Sequence, residues 1–408
     1  MRSKGILAVT AALILGSGGC STRGCPTSTP GTTGTASGTS SGRPMPNNCP
    51  APATTGSSSA LVYSRSANGT ELIAAGLDDA GSLVPVNSFT SPTPPINDLQ
   101  NMAIVNKEFL YIPVGDTTIQ AFKIDRSTGV LAATAGSPYT VPTANGKATT
   151  VVADPLGRFL FVGSENTGEV WSYQIDATSG GLTLIAGSPF TAQFGFFVAH
   201  SLTVDAAGRF LYVGQGDPNL GIIGFSIDQE TGTIRLLSGT PFFLGVAQLR
   251  ADPAAEFLAG TAQIHNQSSS AAPEANIYRF SIGSDGVPTA VPGSPFKTAF
   301  APYDLVVVPN GKFMFTFGTS SSTNQQGAIE GFQVNPNTGA LAMMTGSPFN
   351  NLPIVYTCQV DQSGRELFCM NALPGTKFSV LSINSLTGAI VHTGTDLMVN
   401  NAFSFAVT

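Results

Sequence analysis

Short apolar runs of a few residues recur along the chain, among them FLFVG (159–163), FLYVG (210–214) and FMFTF (313–317). Each is apolar at successive positions, so both faces of the strand it predicts are covered, whereas a two-layer sandwich would alternate apolar with polar. Ahead of these runs stand the turns VVADPLGR (151–158), LTVDAAGR (202–209) and LVVVPNGK (305–312), and CQVDQSGR (358–365) stands likewise before ELFCMN (366–371). Behind each comes another strand, and then a second device, IDRSTGVL (124–131), IDATSGGL (175–182), IDQETGTI (227–234), VNPNTGAL (334–341) or INSLTGAI (383–390). In it an Asp or Asn side chain can bond the backbone two residues on, and the later glycine can take the left-handed conformation that closes a hairpin.

Aligned on that glycine, the copies fall at Gly81, Gly129, Gly180, Gly232, Gly286, Gly339 and Gly388, 48 to 54 residues apart. Each copy reads strand, turn, strand, loop, strand, turn, strand, and several leave through Ser-Pro, at Ser137-Pro138, Ser188-Pro189, Ser294-Pro295 and Ser347-Pro348. Four antiparallel strands per copy, each sheet covered on both faces, predict an all-β, seven-bladed β-propeller. The first copy begins at LVYSRS (61–66), which matches a second strand and has no first. The chain ends in AFSFAVT (402–408), which matches a first strand and has nothing after it. The C-terminal strand is therefore expected to join the first blade and shut the ring.

Composition adds a boundary and an address. Of 408 residues 10% are charged, with a net charge of −6 and no Lys/Arg-rich run, which argues against a phosphate backbone as partner. Residues 1–20, MRSKGILAVTAALILGSGGC, place two cations before an apolar run and small residues, the layout of a signal peptide and too short to span a membrane. GSGGC resembles the lipobox of bacterial lipoproteins, which would make Cys20 the lipidated residue and Ser21 an outer-membrane sorting signal. That resemblance implies export and either an outer-membrane-anchored lipoprotein or a periplasmic or secreted protein. Residues 21–60, rich in Ser, Thr, Gly and Pro with almost no side chain to bury, read as a disordered tether. The propeller domain is then 61–408, expected as a monomer that meets the membrane only through the lipid.

Few residues carry chemistry. GTSSG (38–42) has the letters of a serine-hydrolase elbow, but in the tether it lacks the flanking strand and helix that motif needs. Cys358 and Cys369 flank the turn at Ser363 and Gly364, so a disulfide across a hairpin is open to them. No CxxC or Cys/His cluster is present, and neither a metal nor a cofactor is expected. In a propeller of this topology the variable 2–3 and 4–1 connections share one face, where loops on a fixed frame build binding sites. Residues just before the innermost strands ring the channel there. Counting eight back from the corresponding 1–2 turn position gives Leu99, Thr149, His200, Ala247, Tyr303 and Tyr356, and seven back gives Gln100, Thr150, Ser201, Gln248, Asp304 and Thr357. General acid–base work by His200 with Asp304 is one reading of that ring. The other is that His200 bonds a neighbouring carbonyl, with Gln215, Asp217, Gln248, Arg250, Gln263, His265, Tyr303 and Tyr356 as binding residues.

The DPxGRFLYV strand pairs and TGxL…GSPF exits resemble the seven-bladed lactonase family, which includes 6-phosphogluconolactonase-like proteins and a muconate cycloisomerase. FVAHSLTVDAAGRFLYV (197–213) is similar to that family's Pro-His-Ala-His-Ser blade, and the resemblance matches His200 to its second histidine and Val198 to its first. Elsewhere the family's charged positions read Gln215, Ala247-Gln248, Gln263, Asp304 and Thr319, with both arginines gone. That removes the usual paired bonds to a phosphate or carboxylate. Two functions follow: a non-catalytic or diverged binding module for an envelope glycan or protein, or a lactone hydrolase or isomerase with His200 as acid/base.

Overall fold

The computed structural model describes residues 60–66, 71–90, 101–143, 146–164, 167–191, 201–215, 220–242, 246, 248–262, 275–319, 327–349, 355, 357–371, 377–399 and 402–408. The signal with Cys20 and all of the tether except Ala60, which is buried with the core, lie outside the described residues, as do His200, Asp217, Gln263, His265 and Tyr356. No helix occurs among the described residues, and the strands form seven antiparallel sheets.

Blade two is Ala103–Val105, Phe109–Val114, Thr118–Ile124 and Leu131–Ala133; blade three is Ala148–Ala153, Phe159–Ser164, Glu169–Ile175 and Leu182–Leu184. Blade four is Ser201–Val204, Phe210–Gly214, Ile222–Ile227 and Ile234–Leu236; blade five is Gln248–Ala251, Phe257–Thr261, Asn276–Ile282 and Pro288–Ala290. Blade six is Ala301–Val307, Phe313–Thr319, Gly327–Val334 and Leu341–Met343; blade seven is Thr357–Val360, Glu366–Met370, Lys377–Ile383 and Ile390–Met398. Blade one takes Leu61–Ser66, Glu71–Leu77 and Leu83–Thr90 from one end of the chain and its innermost strand, Ala402–Val407, from the other. Val62 stands opposite Val407 and Arg65 opposite Ser404, and beyond them the Leu61 N–H donates to Thr408 Oγ1 (2.8 Å) while the Thr408 N–H donates to the Leu61 carbonyl (2.9 Å). The ring is shut as the chain ends predict.

The uniformly apolar runs are the second strands, and every residue of Phe109–Val114, Phe159–Ser164 and Phe210–Gly214 is buried. Their side chains point alternately into the two neighbouring blades, so the apolar interior is a series of interblade layers, such as the one that holds Tyr111 of blade two and Trp171 of blade three. The recurring turn sits in these seams. Asp176 Oδ1 accepts the Thr178 and Ser179 N–H groups (3.1 and 2.7 Å), and Asn384 does the same for Leu386 and Thr387 (both 3.0 Å). Hydrogen bonds from the Ser179 backbone and hydroxyl hold the Asp176 carboxyl below the usual carboxylate range. Gly180 (φ +70°) then packs on the Phe109 ring of the preceding blade. Gly232, Gly286, Gly339 and Gly388 pack in the same way on Phe159, Phe210, Phe257 and Phe313.

The fourth strand departs from the simple repeat. In blades two, three and five it runs three residues, breaks at Gly-Ser-Pro, and resumes as a two-residue pairing with the third strand. Thr240-Pro241 marks a fifth such break, missed when only Ser-Pro is sought. The residue before the proline repairs the ladder: Ser137, Ser188, Thr240, Ser294 and Ser347 hydroxyls accept the third-strand N–H of Ala121, Ser172, Gly224, Arg279 and Gly331, all at 3.0–3.1 Å.

Candidate functional site

An innermost strand has a bare edge toward the channel, and its N–H and C=O groups need partners. Polar side chains from the preceding blade supply them. Asn101 spans to blade three, accepting the Val151 N–H (2.7 Å) and donating to the Val151 carbonyl (3.0 Å). Ser201 and Thr203 accept the Leu249 and Ala251 N–H groups of blade five (3.0 and 2.8 Å). Gln359 of blade seven donates to the Phe405 carbonyl of blade one (2.5 Å). In blade two the residue at this level is Asn101 rather than Gln100, because its 1–2 turn is shortened to Asn106 and Lys107 and the count from the turn shifts by one.

Asp304 of blade six joins three blades. Its carboxylate accepts Gln248 Nε2 (3.2 Å) and the Arg250 guanidinium (3.0 Å) from blade five, Thr357 Oγ1 (2.7 Å) from blade seven, and the Leu305 N–H (2.8 Å). The Asp304 side chain is 9% exposed and Arg250 is 38% exposed, so the acid is enclosed while the cation still reaches the channel. Arg250 also donates to its neighbouring carbonyl, Leu249 (3.1 Å). A carboxylate with both oxygens engaged is poorly placed to take a proton from a substrate. What this cluster offers a ligand is the free part of the guanidinium beside hydroxyl and amide groups.

Directly above this level the strands bulge. In blade one the residue passed over is 403, in blade three Thr149, in blade six Tyr303, each the extra residue of a register shift. A bulge re-aims side chains and is frequent beside functional sites. His200 holds the corresponding place in the repeat of blade four, one residue before Ser201. Gln215 is turned to its own 2–3 loop, donating to the Leu220 (2.7 Å) and Gly221 (3.2 Å) carbonyls. Of the sequence-derived positions, the structure thus brings Gln248, Arg250 and Asp304 into contact, sets Tyr303 beside them, and gives Gln215 a separate task.

Sequence reasoning passed over Asn101 and Gln359, whose partners lie in other blades, and Glu330. Glu330 is wholly buried in blade six, with Oε1 accepting the Ala299 N–H (2.8 Å) and Oε2 without a hydrogen-bond partner among the described residues. Burial pushes its carboxyl above the usual range. Cys358 and Cys369 stand opposite each other on paired strands of blade seven and are joined as a disulfide, both sulfurs buried. Among the described residues no group of His, Cys, Asp and Glu is placed to hold a metal ion, and no helix is long and apolar enough to cross a membrane.

Residues 105–243 match the family profile described as Lactonase, 7-bladed beta-propeller. Among solved structures, a Bacteroides uniformis protein provisionally described as a 6-phosphogluconolactonase superposes with a TM-score of 0.67 at 17% identity, covering 86% of this chain and 99% of its own. A periplasmic gluconolactonase of Pseudomonas aeruginosa gives 0.62 at 15% identity, covering 85% and 98%. A Lactobacillus plantarum protein gives 0.62 at 14%, covering 86% and 99%. No curated protein matches the sequence. The chain is thus a seven-bladed β-propeller whose blades two to four are similar to the lactonase propeller profile.

Proposed function

We propose that this protein is an exported, envelope-tethered propeller that binds a glycan or protein of the envelope on its variable-loop face and does not turn over a lactone. The observation that carries this reading is the state of Asp304, whose carboxylate is taken up by Gln248, Arg250, Thr357 and the Leu305 N–H. Gln215 and Gln248 stand where the resemblance places proton-exchanging or cationic groups, and amides exchange no proton near neutrality. Tethering rests on residues 1–20 and on Cys20, and the ligand class on a ring of amides, hydroxyls and one guanidinium suited to hydroxyl-rich partners.

The competing reading is a lactone hydrolase or isomerase with His200 as acid/base. It is favoured by the bulge at the level of His200 and by the gluconolactonase fold match, which supports the reading only through shared architecture. The deciding experiment assays the chain freed of residues 1–20 on a panel of sugar and aliphatic lactones, with His200→Ala alongside, and titrates the same preparation with envelope glycans. Saturable glycan binding without turnover is the expected result. Lactone turnover abolished by His200→Ala would replace this proposal with the enzyme.

A further inference from the structure

The channel does not end at the ring around Asp304. Below it, toward the face of the 1–2 turns and away from the variable loops, the innermost strands line an open cavity of about 870 Å³. Its wall mixes apolar side chains, among them Ile104, Val152, Val307 and Val360, with the polar Asn101, Thr203, Thr357 and Gln359, and includes Arg250 from an innermost strand and Asn106 and Lys107 from a 1–2 turn.

The charges of this cavity do not cancel. Arg250 is balanced by Asp304, and the one acid in the wall, Asp154, has a fully buried side chain held by Arg158 (2.9 Å). Lys107 is half-buried and makes no ion pair among the described residues. Its presence at the mouth follows from an unusual turn. Blades three and four use longer turns whose arginines, Arg158 and Arg209, bond the turn aspartate and reach toward the next blade. Blade two uses two residues, both left-handed, Asn106 (φ +51°) and Lys107 (φ +58°). Such a turn ordinarily takes Asn-Gly, and a side chain at its second position is held against a steric preference. Here the unfavoured lysine is the residue at the cavity's rim.

We propose that the lower channel is a second binding site, for a small carboxylate with a compact apolar body, its head at Lys107 and Asn106 and its body against Ile104, Val152 and Val307. Apolar side chains to hold a ligand's body, with polar groups placed to orient it, are what a small-molecule site supplies. One unbalanced ammonium and an amide suit a single negative charge, whereas a phosphate dianion would call for more cations or a fork of donors. The proposed head-group residues, Lys107 and Asn106, lie apart from the Asp304 cluster, although Arg250 and Thr357 border both.

Phenylacetate and its uncharged counterpart phenylacetamide serve as probes, measured on the chain freed of residues 1–20 by calorimetry and saturation-transfer NMR. Wild type is expected to bind phenylacetate saturably at one site and phenylacetamide about tenfold more weakly or less. Lys107→Gln, checked for an unchanged circular dichroism spectrum, should weaken phenylacetate about tenfold and leave phenylacetamide as it was. Lys312→Gln, an exposed cation in the corresponding turn of blade six, should change neither. Absence of saturable phenylacetate binding, equal affinity for the two probes, or an equal effect of Lys312→Gln would each overturn the proposal.

Discussion

A methyl group at Gly180 would stand 2.3 Å from Phe109 Cδ1, on a residue whose φ of +70° already disfavours any side chain. Gly180→Ala therefore meets two penalties, strain and overpacking, and should lower stability by about 2–4 kcal/mol. Gly115, also left-handed at φ +62° but with nothing within 4 Å of an added Cβ, isolates the first penalty; Gly115→Ala should cost about 1 kcal/mol. Chemical denaturation of both variants measures the difference. The same seam carries a polar link. Tyr63, Tyr111 and Tyr212 hydroxyls donate to the carbonyls of Gly129, Gly180 and Gly286 in the next blade, at 3.1, 2.9 and 2.7 Å. Tyr111→Phe leaves a buried carbonyl without its donor and should cost about 1–2 kcal/mol in the same assay. Blade five has Ala259 at this position, and Arg279, its cross-strand partner, fills the space and donates Nε to the Gly339 carbonyl (3.3 Å). Glu330 supplies a pH test. Its folded-state pKa is raised by burial, so the proton it holds favours the fold below the ordinary glutamate range and that contribution fades as pH rises through the raised value. Melting temperatures of Glu330→Gln minus wild type should accordingly grow more positive from pH 4.5 upward.

At the scale of elements, the broken fourth strand and the Asp304 junction show how blades are finished and fastened. Ser188→Ala removes the hydroxyl that takes the Ser172 N–H where the fourth strand is interrupted, a loss of about 1 kcal/mol read by denaturation. Asp304→Ala strips Gln248, Arg250 and Thr357 of one shared acceptor across three blades; because Arg250 stays over a third exposed, the cost is set at about 2 kcal/mol rather than that of a fully buried pair. A catalytic Asp304 would instead be lost to activity while stability held. The turn glycines, the apolar second strands and the unpaired chain ends were legible in sequence because each is a local requirement that repeats. The Asp304 junction was legible only in part: counting back from the turns aligned Gln248, Asp304 and Thr357, yet nothing local said that they would bond one another. Asn101 escaped because a two-residue turn shifted the count, and Arg279 because its role depends on an alanine across the strand and a glycine in the next blade.

For the whole molecule, the order of the ring decides where every other residue stands. The interblade layers run from blade one through blade seven and meet again where Phe378 of blade seven packs edge-on against Phe405 of the C-terminal strand, ring centroids 5.1 Å apart. Farther out, the Thr395 N–H of blade seven donates to Ser82 Oγ of blade one (2.9 Å). Removing residues 402–408 strips the inner ladder of blade one, its Thr408 bonds and the aromatic contact at once, and leaves Leu61–Ser66 as a bare edge. The most direct test of the account is thus the thermal unfolding of the propeller with and without these last residues. A ring shut by them predicts a fall of several kcal/mol, read as a drop in Tm of about 5 °C or more, or outright failure to fold. An unchanged Tm with intact circular dichroism would contradict it.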